Sequence, residues 1–251
     1  MTSQNELQSN LIALNKQLQS LSALLIQRGQ ELNKALQNLP FDELAKGIKS
    51  CFENLPNDIK IISSQNWFIN FDTLPWELRK ASDLILSGKI LEADEIFCDS
   101  ISKSLHEIEA RLIRKYPERS SIFQECFRLY YNTNYFGAIT LIHSQVDGIC
   151  YDSFNKFFYR NNRSLTRKGV YRPDVLSEIE NYDQFLQKHF LSLFDKTPVV
   201  IDSIENLHPS QFKFNRHAIL HGRSVDFGTK KNCLKTISLL AFVECMLSNK
   251  E

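Results

Sequence analysis

The sequence predicts an all-α protein, a helical bundle with a long, coiled-coil-like N-terminal arm. Three observations carry that prediction. Glycine and proline are scarce, at 8 and 7 of 251 residues, while leucine, glutamine and phenylalanine are plentiful, a balance that favours helices. Leucines recur at heptad spacing near the start of the chain. Beyond them, apolar residues return at three- and four-residue steps in stretches separated by proline or glycine.

The arm comes first. Leu7, Leu11, Leu14, Leu18, Leu21, Leu25, Leu32 and Leu39 alternate steps of four and three, except where Arg28 and Ala35 occupy the seam. A continuous helix there would run roughly 55 Å. Two readings stay open: an arm that dimerises or docks a partner, and a helix folded back on its own body. Pro40, Pro56, Pro75, Pro117, Pro173, Pro198 and Pro209 then cut the chain into pieces of helical length, since proline usually opens or ends a helix. Residues 76–115 fit helical faces broken at Gly88, and residues 134–158 repeat Ile139, Ile142, Val146, Ile149, Phe154 and Phe157. Thr229 is the expected N-cap of a last helix over 229–248. Only "IKIISS" at 59–64 and "TPVVI" at 197–201 look strand-like. Trp67 and Trp76 read as packing anchors that tie the arm to the bundle. The expected division is 1–115 for the arm and a helical region, and 116–251 for the bundle.

Composition limits the function classes. A formal net charge of +1 does not by itself imply nucleic acid. Six widely spaced cysteines without a CxxC pair suggest reduced thiols in a cytoplasmic protein. No run of about 18 apolar residues occurs, so no membrane partner is expected. Charge is nevertheless local: "SFNKFFYRNNRSLTRKGVYRP", residues 153–173, carries Lys156, Arg160, Arg163, Arg167, Lys168 and Arg172 and no acid, with Phe154, Phe157, Phe158, Tyr159 and Tyr171 interleaved. This composition suits a surface that tracks phosphates and stacks bases, making RNA the expected partner. It equally describes a helix end with buried aromatics leading into a solvated basic loop.

The chemistry concentrates in "FNRHAILHGRS", residues 214–224. Metal-free RNA cleavage needs a base for the 2'-hydroxyl proton, an acid for the leaving 5'-oxygen and a cation for the phosphorane. Histidine serves either proton role near neutrality, and arginine supplies a permanent charged fork. Five helical steps set Arg216 and His221 about 140° apart. That offset suits a site assembled from two protomers, each giving one arginine and one histidine. Two other readings remain: zinc held by His217 and His221 with His208 nearby, and a helix end where His221 favours the dipole and Gly222 the left-handed cap.

The motif "RHAILH" resembles the signature of HEPN domains: arginine, a polar residue, a short spacer, then histidine. The resemblance extends upstream through "YPERSSIFQECFRLYYNTNYFGAITLIHSQVDGIC" and downstream through "GRSVDFGTKKNCLKTISLLAFVECM", over roughly residues 116–248. It implies a HEPN-like bundle and a metal-independent, cofactor-free endoribonuclease acting as a homodimer, of the toxin, abortive-infection or antiviral type. Arg216 and His221 would be catalytic, and His217 would fill the polar position. Such proteins often set a polar residue on an earlier helix against the motif. Asp147 is the candidate, on a stripe with Thr140, Ser144 and Tyr151 that also reads as a solvated face. Residues 1–39 would be available to an antitoxin or sensor protein. A catalytically inactive helical module binding RNA, nucleotide or a regulatory protein, and an adaptor working through its arm, are the other functions open to this sequence.

Overall fold

The computed structural model describes residues 27, 30, 31, 34, 41–69, 73–165, 170–179 and 191–247. The heptad arm lies outside the described residues apart from four positions, as do Pro40, Arg167 and Lys168. The chain divides into two compact units, Met1–Lys49 and Ser50–Glu251. In the first, Gln27, Gln30, Glu31 and Lys34 are helical and exposed, with the Gln27 amide donating to Glu31 at 3.1 Å.

The second unit is built from helices. The described residues hold no β-strand, only one isolated bridge between Asn161 and Pro173. Seven helices carry labels here: α1 Phe41–Ser63, which crosses the unit boundary, α2 Pro75–Leu86, α3 Ile90–Lys115, α4 Ser120–Tyr131, α5 Tyr135–Phe154, α6 Arg216–Leu220 and α7 Lys230–Met246. Helix α3, assigned by sequence to the N-terminal region, packs against both α4 and α7.

Helix α7 is the central element. It is buried nearly all round, from Asn232 through Glu244 and at Met246, as expected of a helix with apolar side chains on every face. Thr229 caps it as the sequence predicts, its hydroxyl accepting from the Asn232 N–H at 3.2 Å. The polar side chains it buries are satisfied: Glu244 accepts from Arg111 at 2.8 Å and meets Lys115 at 3.3 Å. Helix α5 packs against both α7 and α4.

Four expectations are corrected. "IKIISS" belongs to a helix, because Leu55, Ile59 and Ile62 are buried at helical spacing, and burial outweighs β-branched propensity. Pro56 lies inside α1 and does not end it; proline removes one N–H donor, which the packing of those three residues offsets. "TPVVI" is a turn, with the Ile201 N–H returning to the Pro198 carbonyl at 3.0 Å. Trp67 is fully buried and donates to Asp94 at 2.8 Å, but Trp76 is 57% exposed, because α2 turns Leu78, Ala81 and Ser82 inward instead.

Candidate functional site

Helix α6 is short, and its two ends are fixed by local chemistry. Asn215 is fully buried at its N-cap, its side-chain oxygen accepting from the Ala218 N–H at 2.9 Å. The same amide donates to the carbonyls of Val199 at 2.7 Å and Asp202 at 2.9 Å. The Arg216 N–H reaches the Val200 carbonyl at 3.2 Å. One asparagine therefore joins the 199–205 turn to the start of the motif. At the far end Gly222 is left-handed, with φ +71°, and lets the N–H groups of Arg223 and Ser224 return to the Ala218 carbonyl. The glycine stop expected from sequence is present.

Arg216 turns inward from the first position of α6. Its guanidinium carbon lies 5.2 Å from the centre of the Tyr159 ring, and Nη2 stands 4.0 Å from Oδ2 of Asp147. Its Nε is buried with no hydrogen-bond partner. Asp147, on α5, is the residue the sequence proposed to face the motif, and the structure brings the two together. Oδ1 of Asp147 accepts from the N–H groups of Phe158 at 2.9 Å and Tyr159 at 3.0 Å, holding the segment after α5 beneath Arg216. Burial raises its carboxyl above the usual range; the two N–H donors and Arg216 only partly oppose this.

One helical turn earlier, His143 is fully buried and shares a 2.6 Å hydrogen bond between Nδ1 and the Tyr159 hydroxyl. Burial, reinforced by the Arg216 charge, pushes it down to about 3. It is therefore a neutral support under the site. Burial likewise raises the Tyr159 hydroxyl far above its ordinary value, so Tyr159 keeps its proton.

A cavity of about 340 Å³ opens beside these groups, between the 200–205 turn on one side and Tyr159, Tyr171, Arg216 and His217 on the other. His217 is exposed, and its ring centre stands 4.2 Å from that of His221. Partial burial lowers His217, and the charges of His221 and Arg216 add to it against Glu205. Arg216 faces Asp147 on α5, while His221 is exposed, its ring lying against that of His217 at a tilt of 47°. His217, expected as a supporting polar residue, touches His221 and lines the cavity together with Arg216. His208 does not join them, since its Nδ1 caps the 3₁₀ turn Pro209–Phe214 at Ser210.

The basic segment is less uniform than its sequence. Arg160 and Arg163 are exposed, but Lys156 sits 3.9 Å from both Asp174 and Glu178, acids just beyond the segment that fold back on it. Arg172 is half-buried, its backbone N–H donating to the Asn161 side chain at 3.2 Å. Phe158 belongs to the core and Phe157 stacks on Tyr151 at 5.3 Å, whereas Tyr171 lines the cavity. Sequence reasoning did not single out Asn215, His143, Asp202 or Glu205 as site residues. A capping asparagine three residues before Ala218, and a histidine one turn before Asp147, were the available signals.

Among the described residues, no helix is long and apolar enough to cross a membrane. Burial pushes the thiol of Cys233 far above its ordinary value, leaving it in the core as an inert side chain. Comparison of the chain with protein-family models, curated proteins and solved structures found no match.

Proposed function

We propose that this protein is a metal-independent endoribonuclease acting as a homodimer, with a HEPN-like composite site, and that it works in the cytoplasm as a toxin or antiviral effector. The observation that carries this reading is the setting of Arg216: a guanidinium whose one charged partner among the described residues is Asp147 at 4.0 Å, on the wall of a cavity shared with His217. Such a group has donors to offer a phosphate. In the reaction, one protomer's His221 takes the 2'-hydroxyl proton as that oxygen attacks phosphorus. The partner protomer's equivalent histidine protonates the leaving 5'-oxygen, and the two arginines stabilise the phosphorane. A 2',3'-cyclic phosphate and a 5'-hydroxyl result. His217 orients His221 from within each protomer, Asp147 positions Arg216, and Arg160 and Arg163 extend the contact along the strand, with Lys156 and Arg172 contributing less. Residues 1–39 serve to bind an antitoxin or sensor.

The test is incubation of purified full-length protein with total RNA in excess chelator. Cleavage leaving cyclic phosphate ends, reduced at least about 100-fold in Arg216→Ala and in His221→Ala, is expected. Activity that survives in the double variant, or that chelator alone abolishes, overturns the mechanism. A second reading, a catalytically silent module that binds RNA or nucleotide, draws on the outward turn of His221 and the pairing of Lys156. It predicts tight, steeply salt-dependent RNA binding without cleavage.

A further inference from the structure

The cavity beside Arg216 has an uneven chemistry. Its 200–205 wall carries two carboxylates and a hydroxyl among apolar side chains; the opposite wall carries Arg216 and His217. At about 340 Å³ it falls at the lower end of the roughly 300–1,000 Å³ common for small-molecule sites, room for one nucleotide unit.

We infer that this cavity holds the guanine base of a single RNA nucleotide, with Asp202 and Glu205 accepting from its N–H edge and Arg216 and His217 holding the adjoining phosphate. This rests on the ribonuclease reading for its substrate. The carboxylates are arranged and not adventitious. Oδ1 of Asp202 already accepts from the Ser203 N–H at 2.7 Å and the Asn206 amide at 2.9 Å, which fixes the carboxylate and leaves Oδ2 to face a ligand. Glu205 accepts from the Ser203 hydroxyl through Oε2, leaving Oε1. That hydroxyl bond holds its carboxyl below the usual range, so it is an ionised acceptor at neutral pH. The whole wall is anchored to the motif by buried Asn215.

Acceptors alone select a base edge. Ionised carboxylates donate nothing; adenine at N6, cytosine at N4 and uracil at N3 each offer an N–H but set a lone pair beside it, at N1, at N3 and at O2 and O4, which opposes a paired contact with a carboxylate. Guanine offers adjacent donors at N1 and N2, which a carboxylate accepts as a pair. Tyr171, half-buried and held by a 2.8 Å bond from its N–H to Thr197, supplies the stacking face. Tyr159 is already covered by Arg216. The negative wall also sets polarity, driving the phosphate to the arginine side.

The experiment is calorimetric titration of the full chain with the 3'-monophosphates of guanosine, adenosine, cytidine and uridine, together with mapping of cleavage sites in total RNA. Guanosine 3'-monophosphate is expected to bind at least about tenfold tighter than the other three. Glu205→Gln, an exposed change checked by an unaltered melting temperature, is expected to erase that preference; Asp202→Asn is expected to weaken it. Arg216→Ala is expected to weaken all four nucleotides alike. Equal binding of the four, no binding of any, or a preference untouched by Glu205→Gln overturns the inference. RNA cleaved without regard to guanine leaves the ribonuclease reading standing and removes this one. Guanine-selective binding without cleavage does the reverse.

Discussion

Two aspartates, Asp94 buried and Asp147 half-buried, are held in contrasting ways. Asp94 on α3 spends every oxygen: Oδ1 accepts from Trp67 at 2.8 Å and meets Lys235 at 3.3 Å, and Oδ2 meets Lys231 at 2.7 Å. Lys235 is saturated in turn, donating to the Gln65 carbonyl at 2.7 Å and lying 5.1 Å from the Trp67 ring. Burial alone would raise the Asp94 carboxyl, but the Lys231 bond, the Lys235 charge and the Trp67 bond outweigh it, and it ends below its ordinary value. Asp147 on α5 ends above its ordinary value, since burial outweighs its two N–H donors and a cation that stands back at 4.0 Å; that cation keeps an unbonded buried Nε. A saturated network fixes tertiary structure, and an under-saturated one beside a cavity retains capacity for a ligand.

The contrast breaks most sharply at Asp94. Asp94→Ala leaves Lys235 charged and buried without its counter-ion, and is expected to cost about 3–5 kcal/mol in denaturant unfolding; a loss under 1 kcal/mol would show that the network is not structural. The His143 support under the second cluster makes the next prediction, in pH. The folded chain holds this histidine down to about 3 against 6.5 for the free group, so the unfolded state binds the extra proton below 6.5. Stability is therefore full above that value and falls as pH drops from 6.5 toward 3, by at most about 1.4 kcal/mol per pH unit. His217, also lowered, adds to this slope, and Asp147, raised, opposes it. Asp94 begins to matter only below its ordinary 3.8. His143→Asn is expected to flatten the slope between pH 6.5 and 4.5, as read by urea unfolding at several pH values; an unchanged slope would place the proton elsewhere. The smallest effect on stability belongs to Asp147→Asn. The amide oxygen still accepts from Phe158 and Tyr159, and the weak 4.0 Å pair is half-exposed, so the expected cost is under about 1 kcal/mol. RNA cleavage is expected to drop about tenfold, through loss of Arg216 positioning. A variant that unfolds, or that cleaves at the original rate, would remove the distinction between the two aspartates.

The elements most legible in the sequence were those whose determinants are local. Thr229 and Gly222 announced a helix start and a helix stop through backbone chemistry that operates within four residues. The apolar stripe of 135–154 reported its own buried face. Trp67 and Trp76 show the opposite case: two tryptophans nine residues apart, one in the core and one 57% exposed, with nothing local to separate them. "IKIISS" failed for a related reason, since a short apolar run carries no period until its partner surface is known. At the site, Asp147 was within reach because it shares a helical stripe. Glu205 was not, because what brings it to Arg216 is the buried amide of Asn215 grasping two distant carbonyls.

The amino-acid sequence by itself determined the helical class, the helix ends and the residue types in the motif, because propensity, capping and periodicity act over one or two turns of chain. Tertiary structure alone decided which charges were neutralised and which were left with capacity. The acids that fold back on Lys156, the cavity wall opposite Arg216 and the neutral state of His143 all depend on groups far apart in sequence. Desolvation and pairing are set by what surrounds a side chain in space, a property that no local pattern encodes.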